Sequence, residues 1–458
     1  MQATSYITLV VRGTVALGIV IALAACGGSS PKPDCTDTPD ACRASCGYGS
    51  GDKASLTLAD FPQKIPIDHF ILVMQENRTF DHYFSSLTVP GQTVDGAAPD
   101  ATQPDPMHPG ATLSRFHQTS YCFDNPAESW DEVHQEVDGG AMDAFTTVNA
   151  SDANDPQGLR SIGYYDQTDL PYYYALAQAF AISDRHFASV LANTYPNRLY
   201  YMAGTSYGVT GDTIPTQPTD AKGNVLPNLF TELNDAKVTW SFYVQDVASL
   251  ALLDLTWSKN ISHVQPFEQF ASDAAAGNLP AVSFVEGTDM KGGVSPDEDP
   301  PADPQVGEAM VEGIVDAVMQ APTWPSSAVL FSFDEQGGLY DHVPPQPACV
   351  PDDIPPTLQA GDVPGQFDQT GLRVPLIVVS PFAKRGYVSH VVTDHTSILR
   401  LLEARFGLAA LTHRDANAVP PFDMFDFDNP DPTIPTLPDA TIDPTQQATC
   451  MMMYPGKS

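Results

Sequence analysis

Two pairs of polar residues in this sequence directly follow long apolar runs. Glu76 and Asn77 follow one run, and Asp334 and Glu335 follow the run Ala328–Phe333. Such runs predict central strands that are covered on both faces, and functional residues of open α/β sheets collect where the strands end. The four side chains offer only oxygen ligands, which suit Ca²⁺, Mg²⁺ or Mn²⁺ better than Zn²⁺. The sequence therefore predicts one divalent metal ion at this place.

A third polar segment, Asn193–Arg198, contains a candidate nucleophile. Within it, Thr194 precedes Pro196, which fixes the backbone, and a segment with the pattern of a helix start follows. A hydroxyl beside a divalent cation loses its proton more readily, so Thr194 is the expected nucleophile. His342, which follows the second acidic pair, is then available to protonate a leaving group.

Each of these residues also has a purely structural interpretation. An acid at a strand end often caps the next helix, and a threonine before Tyr-Pro is usually a turn residue. The histidine of an Asp-His-Val-Pro-Pro segment is usually a loop residue with a satisfied hydrogen bond. Three polar clusters in one chain, two of them at strand ends, favour the functional interpretation.

The apolar pattern along the chain alternates between strands and helices. Strands are predicted at 70–74, 238–243, 281–285, 328–333 and 374–380, and helices at 172–180, 229–233, 307–319 and 396–406. This alternation predicts an α/β sandwich with a mostly parallel central sheet. The main domain is expected to span residues 61–418, and the Pro- and Asp-rich tail 419–458 is expected to wrap around it.

The charge balance excludes some partners. The chain has 56 Asp and Glu residues against 21 Lys and Arg residues, which gives a formal net charge of −35. Nucleic acids require a basic surface, and anionic membranes attract basic segments, so we expect neither kind of binding from charge. A substrate that carries phosphate would need a bound cation to offset the negative potential. The sequence predicts no oligomeric state.

The N-terminal residues have the pattern of an export signal. The apolar run 13–25 follows Arg12 and is too short to be a convincing membrane-spanning helix. Leu23–Cys26 resembles a bacterial lipobox, with an ordinary secretory signal or an anchor helix as the alternative. We therefore expect a lipoprotein signal peptide over 1–25, lipidation of Cys26 and a flexible tether over 26–60. The expected location is the bacterial cell envelope, with the lipid anchor in the outer membrane or on the periplasmic face.

Six further cysteines follow Cys26, and an even number in an exported chain indicates disulfides. Cys35, Cys42 and Cys46 form a cluster in which at least one pair is plausible. A zinc site is the alternative, but no histidine lies nearby at ligand spacing.

Three longer motifs occur in order along the chain, namely Glu76–Phe84, Thr194–Arg198 and Asp334–Pro345. Further motifs are Gly163–Tyr165, Leu170–Tyr173, Gly371–Pro375, Ser380–Phe382 and Asp394–Leu399. Together they resemble the bacterial phospholipase C / acid phosphatase family, to which the plant non-specific phospholipases C also belong. The resemblance extends over roughly residues 65–410.

The resemblance implies an alkaline-phosphatase-like three-layer fold and a role for each motif residue. The expected metal ligands are Glu76, Asn77, Thr194, Asp334 and Glu335. The residues expected to bind phosphate are Asn197, Arg198 and His134. The residues expected to act in catalysis are Thr194 as nucleophile and His342 or His395 as the acid for the leaving group.

Two positions depart from the family pattern. The family commonly has a histidine where this chain has Glu128, and another where it has Asp299. His134 or His117 is the expected substitute for the lost cationic groups. Fewer cations near the phosphate weaken the binding of a doubly charged monoester more than that of a diester.

The resulting expectation is a lipid-anchored, metal-dependent phosphoesterase that acts on a phospholipid or another phosphate ester. Phospholipase C activity is the first choice, and acid phosphatase activity on monoesters is the alternative. A catalytically silent surface lipoprotein that retains the fold is the second alternative.

Overall fold

The computed structural model describes residues 43, 45–219, 221–287 and 295–455. The predicted signal peptide 1–25, the predicted lipidation site Cys26, and Cys35 and Cys42 lie outside the described residues. None of the helices within the described ranges combines the length and the apolar character that a membrane crossing requires.

A central sheet of eight strands organises the described residues, and we number these strands along the chain. They are β1 (His69–Gln75), β2 (Ala181–Ser183), β3 (Trp240–Val244), β4 (Val264–Pro266), β5 (Val282–Glu286), β6 (Ser327–Phe333), β7 (Leu376–Val379) and β8 (Tyr387–Ser389). The strand order is β8-β2-β7-β6-β1-β5-β3-β4, and only β7 is antiparallel to its neighbours. The predicted α/β fold with a mostly parallel sheet is thereby confirmed.

Helices and short strand pairs surround this sheet. The helices are α1 (Ala54–Thr57), α2 (Phe80–Phe84), α3 (Trp130–Val137), α4 (Phe145–Asn149), α5 (Pro171–Ala179), α6 (Thr194–Ala203), α7 (Leu229–Ala236), α8 (Asp254–Asn260), α9 (Phe267–Ala276), α10 (Pro304–Met319), α11 (His395–Phe406), α12 (His413–Ala416) and α13 (Pro444–Met453). The short pairs are Thr102–Pro104 with Thr112–Ser114, Phe116–His117 with Gly163–Tyr164, and His186–Phe187 with Thr393–Asp394. Every predicted helix and strand has a counterpart among these elements.

The two central strands β1 and β6 are the most deeply buried. All residues of β6 and all but the first residue of β1 are buried, which requires cover on both faces of the sheet. This burial explains why both sequences are continuous apolar runs rather than alternating patterns. The strands pair in parallel with Gln75 opposite Phe333, so both chains leave the sheet at the same level.

The second half of the predicted flexible tether 26–60 is fixed to the domain. Helix α1 packs with Ala54 buried in the core, and Arg400 Nη2 donates to Thr57 Oγ1 at 2.6 Å. The backbone N–H of Gly51 also donates to the carbonyl of Ala410 at 2.8 Å. The composition indicated flexibility, but these few apolar and hydroxyl groups find long-range partners.

Disulfides and hydrogen bonds attach the C-terminal tail. Cys122 bonds to Cys450 in α13, and Cys46 bonds to Cys349. The predicted disulfides are thus confirmed, although Cys46 pairs outside its own sequence cluster. Trp324 Nε1 also donates to the carbonyl of Pro432 at 2.9 Å, which holds the middle of the tail against the domain.

Candidate active site

Four of the five predicted metal-ligating residues, Glu76, Asn77, Asp334 and Glu335, meet at the ends of β1 and β6. Because these strands are adjacent and in register, Glu76 and Asp334 leave the sheet side by side. The backbone N–H groups of Asn77 and Glu335 donate to Asp334 Oδ1 at 3.2 and 2.8 Å. The Asp334 carboxylate is therefore held in place by the backbone of both strand ends.

The glycines of the Asp-Glu-Gln-Gly-Gly segment allow this close approach. Gly337 has a φ of +58°, and a Cβ at this position would lie 2.5 Å from the Cβ of Asn77. Its N–H donates to Glu335 Oε2 at 2.7 Å, which fixes the Glu335 side chain. A residue with a side chain would both strain the backbone and displace Asn77.

Thr194 is the first residue of α6 and lies in the wall of a cavity of about 630 Å³. No described residue hydrogen-bonds its hydroxyl. The N-terminus of a ten-residue helix carries partial positive charge, which stabilises an anion formed at this hydroxyl. Glu76 lines the same cavity, so the structure brings the predicted nucleophile and one of the predicted metal-ligating residues into one cavity.

Asn197, predicted to bind phosphate, instead fixes the loop before α6. Its Oδ1 accepts from the N–H of Val190 at 3.0 Å. Its Nδ2 lies 3.0–3.1 Å from the carbonyls of Val190, Ala192 and Asn193. All its polar atoms are engaged with the backbone, so Asn197 positions Thr194 and does not face the cavity.

Arg198 lies one helical turn after Thr194, and this spacing places both residues on one face of α6. Its guanidinium contacts Asp334 Oδ2 at 3.0 Å, Glu76 Oε1 at 3.0 Å and Glu286 Oε1 at 3.4 Å. Burial alone would lower the pKa of Arg198, but these three carboxylates raise it, so the side chain stays charged. Arg198 is the cation that holds the acidic residues together.

Burial raises the pKa values of three carboxyl groups at the strand ends, those of Asp334, Glu76 and Glu335. It raises the pKa of Asp334 to about 6, although Arg198 and two backbone N–H groups act in the opposite direction. Burial also raises the pKa of Glu76 and of Glu335 well above the usual range, and Asp334 adds to both shifts. A cation bound between these groups would favour their charged form, because they would release their protons to bind it.

Two buried oxygen atoms at this place have no hydrogen-bond partner within the described part of the chain. They are Asn77 Oδ1 and Glu335 Oε1. An unpartnered buried acceptor costs about 1–3 kcal/mol, so a ligand with positive charge fits here. The donor set of carboxylate, amide and hydroxyl oxygens suits Ca²⁺, Mg²⁺ or Mn²⁺.

The cavity beside Thr194 is lined by both acidic and apolar side chains. Among the described residues, six carboxylates and the guanidinium of Arg198 line it; the carboxylates belong to Glu76, Glu128, Asp212, Glu286, Asp297 and Asp299. The apolar lining residues are Ile214, Val247, Ala248, Ala251, Leu252 and Pro301. Ile214 is 54% exposed and Val247 is 41% exposed, so apolar side chains reach the mouth of the cavity.

Glu128 and Asp299 occupy this wall without a substitute histidine. The predicted substitute His134 packs on the ring of Trp130 at 4.2 Å, and its Nδ1 lies 2.7 Å from the carbonyl of Trp130. The other candidate, His117, lies 2.7 Å from Asp169 Oδ2. Neither histidine lines the cavity, so the expectation of a replacement cation from these two residues is wrong.

His342, the predicted acid, belongs to a separate ionic network. Its Nδ1 lies 2.6 Å from Asp81 Oδ2, and Arg373 contacts both Asp81 and Asp341 within 3.1 Å. Burial would lower the pKa of His342, but the hydrogen bond and charge of Asp81 outweigh it and raise the pKa. Asp81, Asp341 and His342 have the spacing of a metal site, yet Arg373 already neutralises the two acids. The structure does not bring His342 to the cavity.

His395, the other predicted acid, lies behind the site. Its Nε2 is 2.7 Å from the backbone carbonyl of Asp334, and the ring is completely buried. Burial lowers the pKa of His395 to about 4, so the ring is neutral near pH 7. The geometry fits a residue that positions Asp334 rather than one that delivers a proton.

Residues 67–409 match the model of the family described as the phosphoesterase family. The chain belongs to the phosphoesterase family. Phospholipase C B of Mycobacterium tuberculosis is 30% identical to this phosphoesterase over 431 residues, which cover 81% of this chain and 80% of that protein. Non-specific phospholipase C6 of Arabidopsis thaliana is 28% identical over 374 residues, which cover 77% of this chain and 70% of that protein.

A solved structure of a protein in the alkaline phosphatase superfamily from Vibrio parahaemolyticus is also similar to the phosphoesterase. It has a TM-score of 0.35 and 9% identity, and the match covers 84% of this chain and 78% of that chain. The family membership and the phospholipase C relatives confirm the predicted enzyme class, a hydrolase of phosphate esters. They count against the catalytically silent alternative.

Sequence reasoning missed Glu286, the third carboxylate on Arg198. It is the last residue of β5 and accepts from Ser249 Oγ at 2.5 Å and from the N–H of Ser249 at 2.8 Å. The signal was present, because Glu286 ends an apolar strand just as Glu76 and Asp334 follow theirs. The same rule applied to the run 281–285 would have identified it.

Proposed function

We propose that the phosphoesterase is a phospholipase C that cleaves a phospholipid into diacylglycerol and a phosphorylated headgroup. The observation that carries this proposal is the mixed lining of the cavity. Thr194 and Arg198 line it together with Ile214, Val247 and Leu252, and of these apolar side chains Ile214 and Val247 reach solvent. A phospholipid combines the same two kinds of group, because its phosphodiester separates a polar headgroup from two acyl chains.

The reaction begins with Thr194. Its hydroxyl oxygen forms a bond to phosphorus while the bond from phosphorus to the glycerol oxygen breaks. The product is a phosphothreonine diester that carries the headgroup. The threonine proton passes to water and the departing glycerol oxygen takes a proton from water, since neither His342 nor His395 lines the cavity. Water then attacks the phosphorus, releases the phosphorylated headgroup and restores the threonine hydroxyl.

The other residues of the site support this attack. Glu76, Asn77, Asp334, Glu335 and Thr194 would hold a divalent cation. When bound, that cation lowers the pKa of the hydroxyl and offsets the charge that develops on the phosphoryl oxygens. Asn197 keeps the start of α6 in place, and Arg198 keeps Glu76 and Asp334 together.

Acid phosphatase activity is the less favoured alternative. A phosphate monoester carries up to two negative charges, and six carboxylates with one guanidinium line this cavity among the described residues. Repulsion in a partly buried cavity costs a dianion more than the single charge of a diester. A small monoester also has no acyl chains that could contact the apolar residues lining the cavity.

A substrate comparison tests the proposal. We expect long-chain phosphatidylcholine in mixed micelles to have a higher kcat/KM than p-nitrophenyl phosphate at every pH. Replacing Ile214 and Val247 by serine should lower kcat/KM for the micellar substrate by about fivefold per residue, because each loses about 1 kcal/mol of apolar contact. The soluble diester p-nitrophenylphosphorylcholine should be cleaved at an unchanged rate.

The matched control is Leu56→Ser, which removes an apolar side chain that is 80% exposed and does not line the cavity. It should leave all three activities unchanged. Faster turnover of the monoester than of both diesters would reject the phospholipase proposal and favour the phosphatase.

We also propose that the protein is exported and anchored to the cell envelope through lipid on Cys26. The support is the sequence Leu23–Cys26 with the Gly- and Ser-rich residues that follow it.

A further inference from the structure

The Asn77 amide has one end that is fully hydrogen-bonded and one end that is not. Its Nδ2 donates to Glu128 Oε2 at 2.7 Å and to Asp299 Oδ1 at 2.8 Å. An amide nitrogen has two hydrogens, so these two contacts use its full donor capacity. Its Oδ1 is buried and has no partner within the described ranges.

The two carboxylates determine which way the amide faces. A carboxylate oxygen accepts hydrogen bonds and repels the oxygen of an amide. Rotation of the Asn77 amide by half a turn would place its oxygen against Glu128 and Asp299 and lose both hydrogen bonds. The amide oxygen is therefore turned away from these two acids.

We propose that Glu128 and Asp299 are positioning residues that hold the Asn77 amide in the one orientation that offers its oxygen to a cation. This inference rests on the proposed cation site of Glu76, Asn77, Asp334 and Glu335. It gives a function to the two acids that stand where the family resemblance leads us to expect histidines. Without them, the rotated amide would present an NH₂ group, which is not a ligand for a cation.

Separate parts of the chain deliver the two acids to this amide. Glu128 precedes Ser129, the N-cap of α3, so the start of that helix sets its place. Asp299 follows a segment in which the carbonyl of Asp297 accepts from the N–H of Glu76 at 2.8 Å. Asn125 Nδ2 lies 3.3 Å from Asp299 Oδ1 and supports the second acid. The amide is thus held from two independent directions.

The test measures cation binding rather than turnover. The purified full chain is stripped with a chelator and titrated with Mn²⁺ in a calorimeter. The variant Glu128→Met/Asp299→Ala, which lacks both acceptors, should bind Mn²⁺ about 10–100-fold more weakly, the usual effect of removing residues that orient a ligand. Each substitution is also measured alone, so that a misfolded double variant does not decide the result.

Two further variants separate orientation from charge. Asp212→Asn removes one negative charge from the same cavity wall without a contact to Asn77, and it should change the affinity less than threefold. Adding Asn77→Asp to the acceptor-less variant should restore most of the affinity, because a carboxylate presents an oxygen in either orientation. A merely structural role of Glu128 and Asp299 would not produce this rescue.

Several results would overturn the inference. One is an acceptor-less variant that is folded and binds Mn²⁺ as tightly as the wild type. Another is an equal loss of affinity in Asp212→Asn, since charge alone would then explain the effect. Failure of Asn77→Asp to rescue binding would also count against orientation. A wild type that binds no divalent cation would refute the proposed cation site itself, whereas the other three results refute only the positioning role.

Discussion

Removal of the cation should make the folded protein less stable at neutral pH than at mildly acidic pH. The reason is the completely buried Asp334, whose pKa burial raises to about 6. Its ordinary value is about 3.9 in an unfolded chain. A carboxyl group with a raised folded pKa stabilises the fold below its unfolded pKa, and this contribution is lost as the pH rises through the folded pKa.

The size of the effect follows from the shift. A difference of about 2 pKa units corresponds to about 3 kcal/mol in full, and about 1.4 kcal/mol of it is lost between pH 5 and 7.5. For a chain of 458 residues, that loss lowers Tm by about 1.5 °C. Glu76 and Glu335 have raised pKa values as well and act in the same direction.

The assay is calorimetric unfolding of chelator-treated protein at pH 5 and pH 7.5, with and without Mn²⁺. We expect Tm to fall with pH in the chelated protein, and Mn²⁺ at about 100 times its Kd to add about 2.7 kcal/mol at pH 7.5. The control is the variant Asp334→Asn. The difference between its change of Tm with pH and that of the wild type isolates the contribution of Asp334 from that of other titrating residues such as His342.

An increase of Tm from pH 5 to pH 7.5 in the wild type relative to Asp334→Asn would refute the electrostatic reasoning. An absence of any effect of Mn²⁺ at pH 7.5, combined with full activity in excess chelator, would refute the proposed cation site.

Three further predictions concern single residues. Thr194→Ala should lower kcat by about 10⁴-fold or more while Tm stays within about 1 °C, whereas Thr194→Ser should keep measurable activity. Mass spectrometry of acid-quenched protein should detect a phosphorylated peptide with Thr194, and a near wild-type rate in Thr194→Ala would exclude the covalent route. Cys26→Ser should move the protein from the membrane to the soluble fraction, and fatty-acid labelling of that variant would contradict lipidation there. Arg198→Met should destabilise the apo protein by about 3–5 kcal/mol, because two buried carboxylates and the partly buried Glu76 lose their counter-ion; unchanged urea unfolding would contradict this.

The central sheet and the meeting of Glu76 with Asp334 at its edge could be predicted because the signal is local. The strands β1 and β6 are mostly apolar, and Glu76 and Asp334 directly follow them. The carboxyl ends of parallel strands lie at the same edge of a sheet. Residues that directly follow two such strands in the sequence could therefore be expected to meet. Thr194 was found in the same way, at the start of a helix with a fixed first turn.

The places of the histidines could not be predicted because they depend on the path of the chain after the strand. Gly337 and Gly338 both have positive φ, and the loop they form carries His342 into the network of Asp81 and Arg373. His395 begins a helix whose position is set by the whole fold. The convergence of Glu128 and Asp299 on Asn77 joins positions 51 and 222 residues apart in the sequence, which no local pattern reveals.

The two disulfides also limit how far the chain can be stretched. Cys46 is joined to Cys349 and Cys122 to Cys450, so the segments 47–121, 123–348 and 350–449 run in parallel between the same two covalent junctions. When the two ends of the chain are pulled apart, the distance between the two disulfides is limited by the shortest segment that connects them. This segment is the 76 chain steps from Cys46 to Cys122. At about 3.5 Å per residue this is about 270 Å. The segment 123–348, which contains β3, β5 and β6, is three times longer than that shortest segment. Tension on a molecule with both disulfides intact therefore cannot fully extend it.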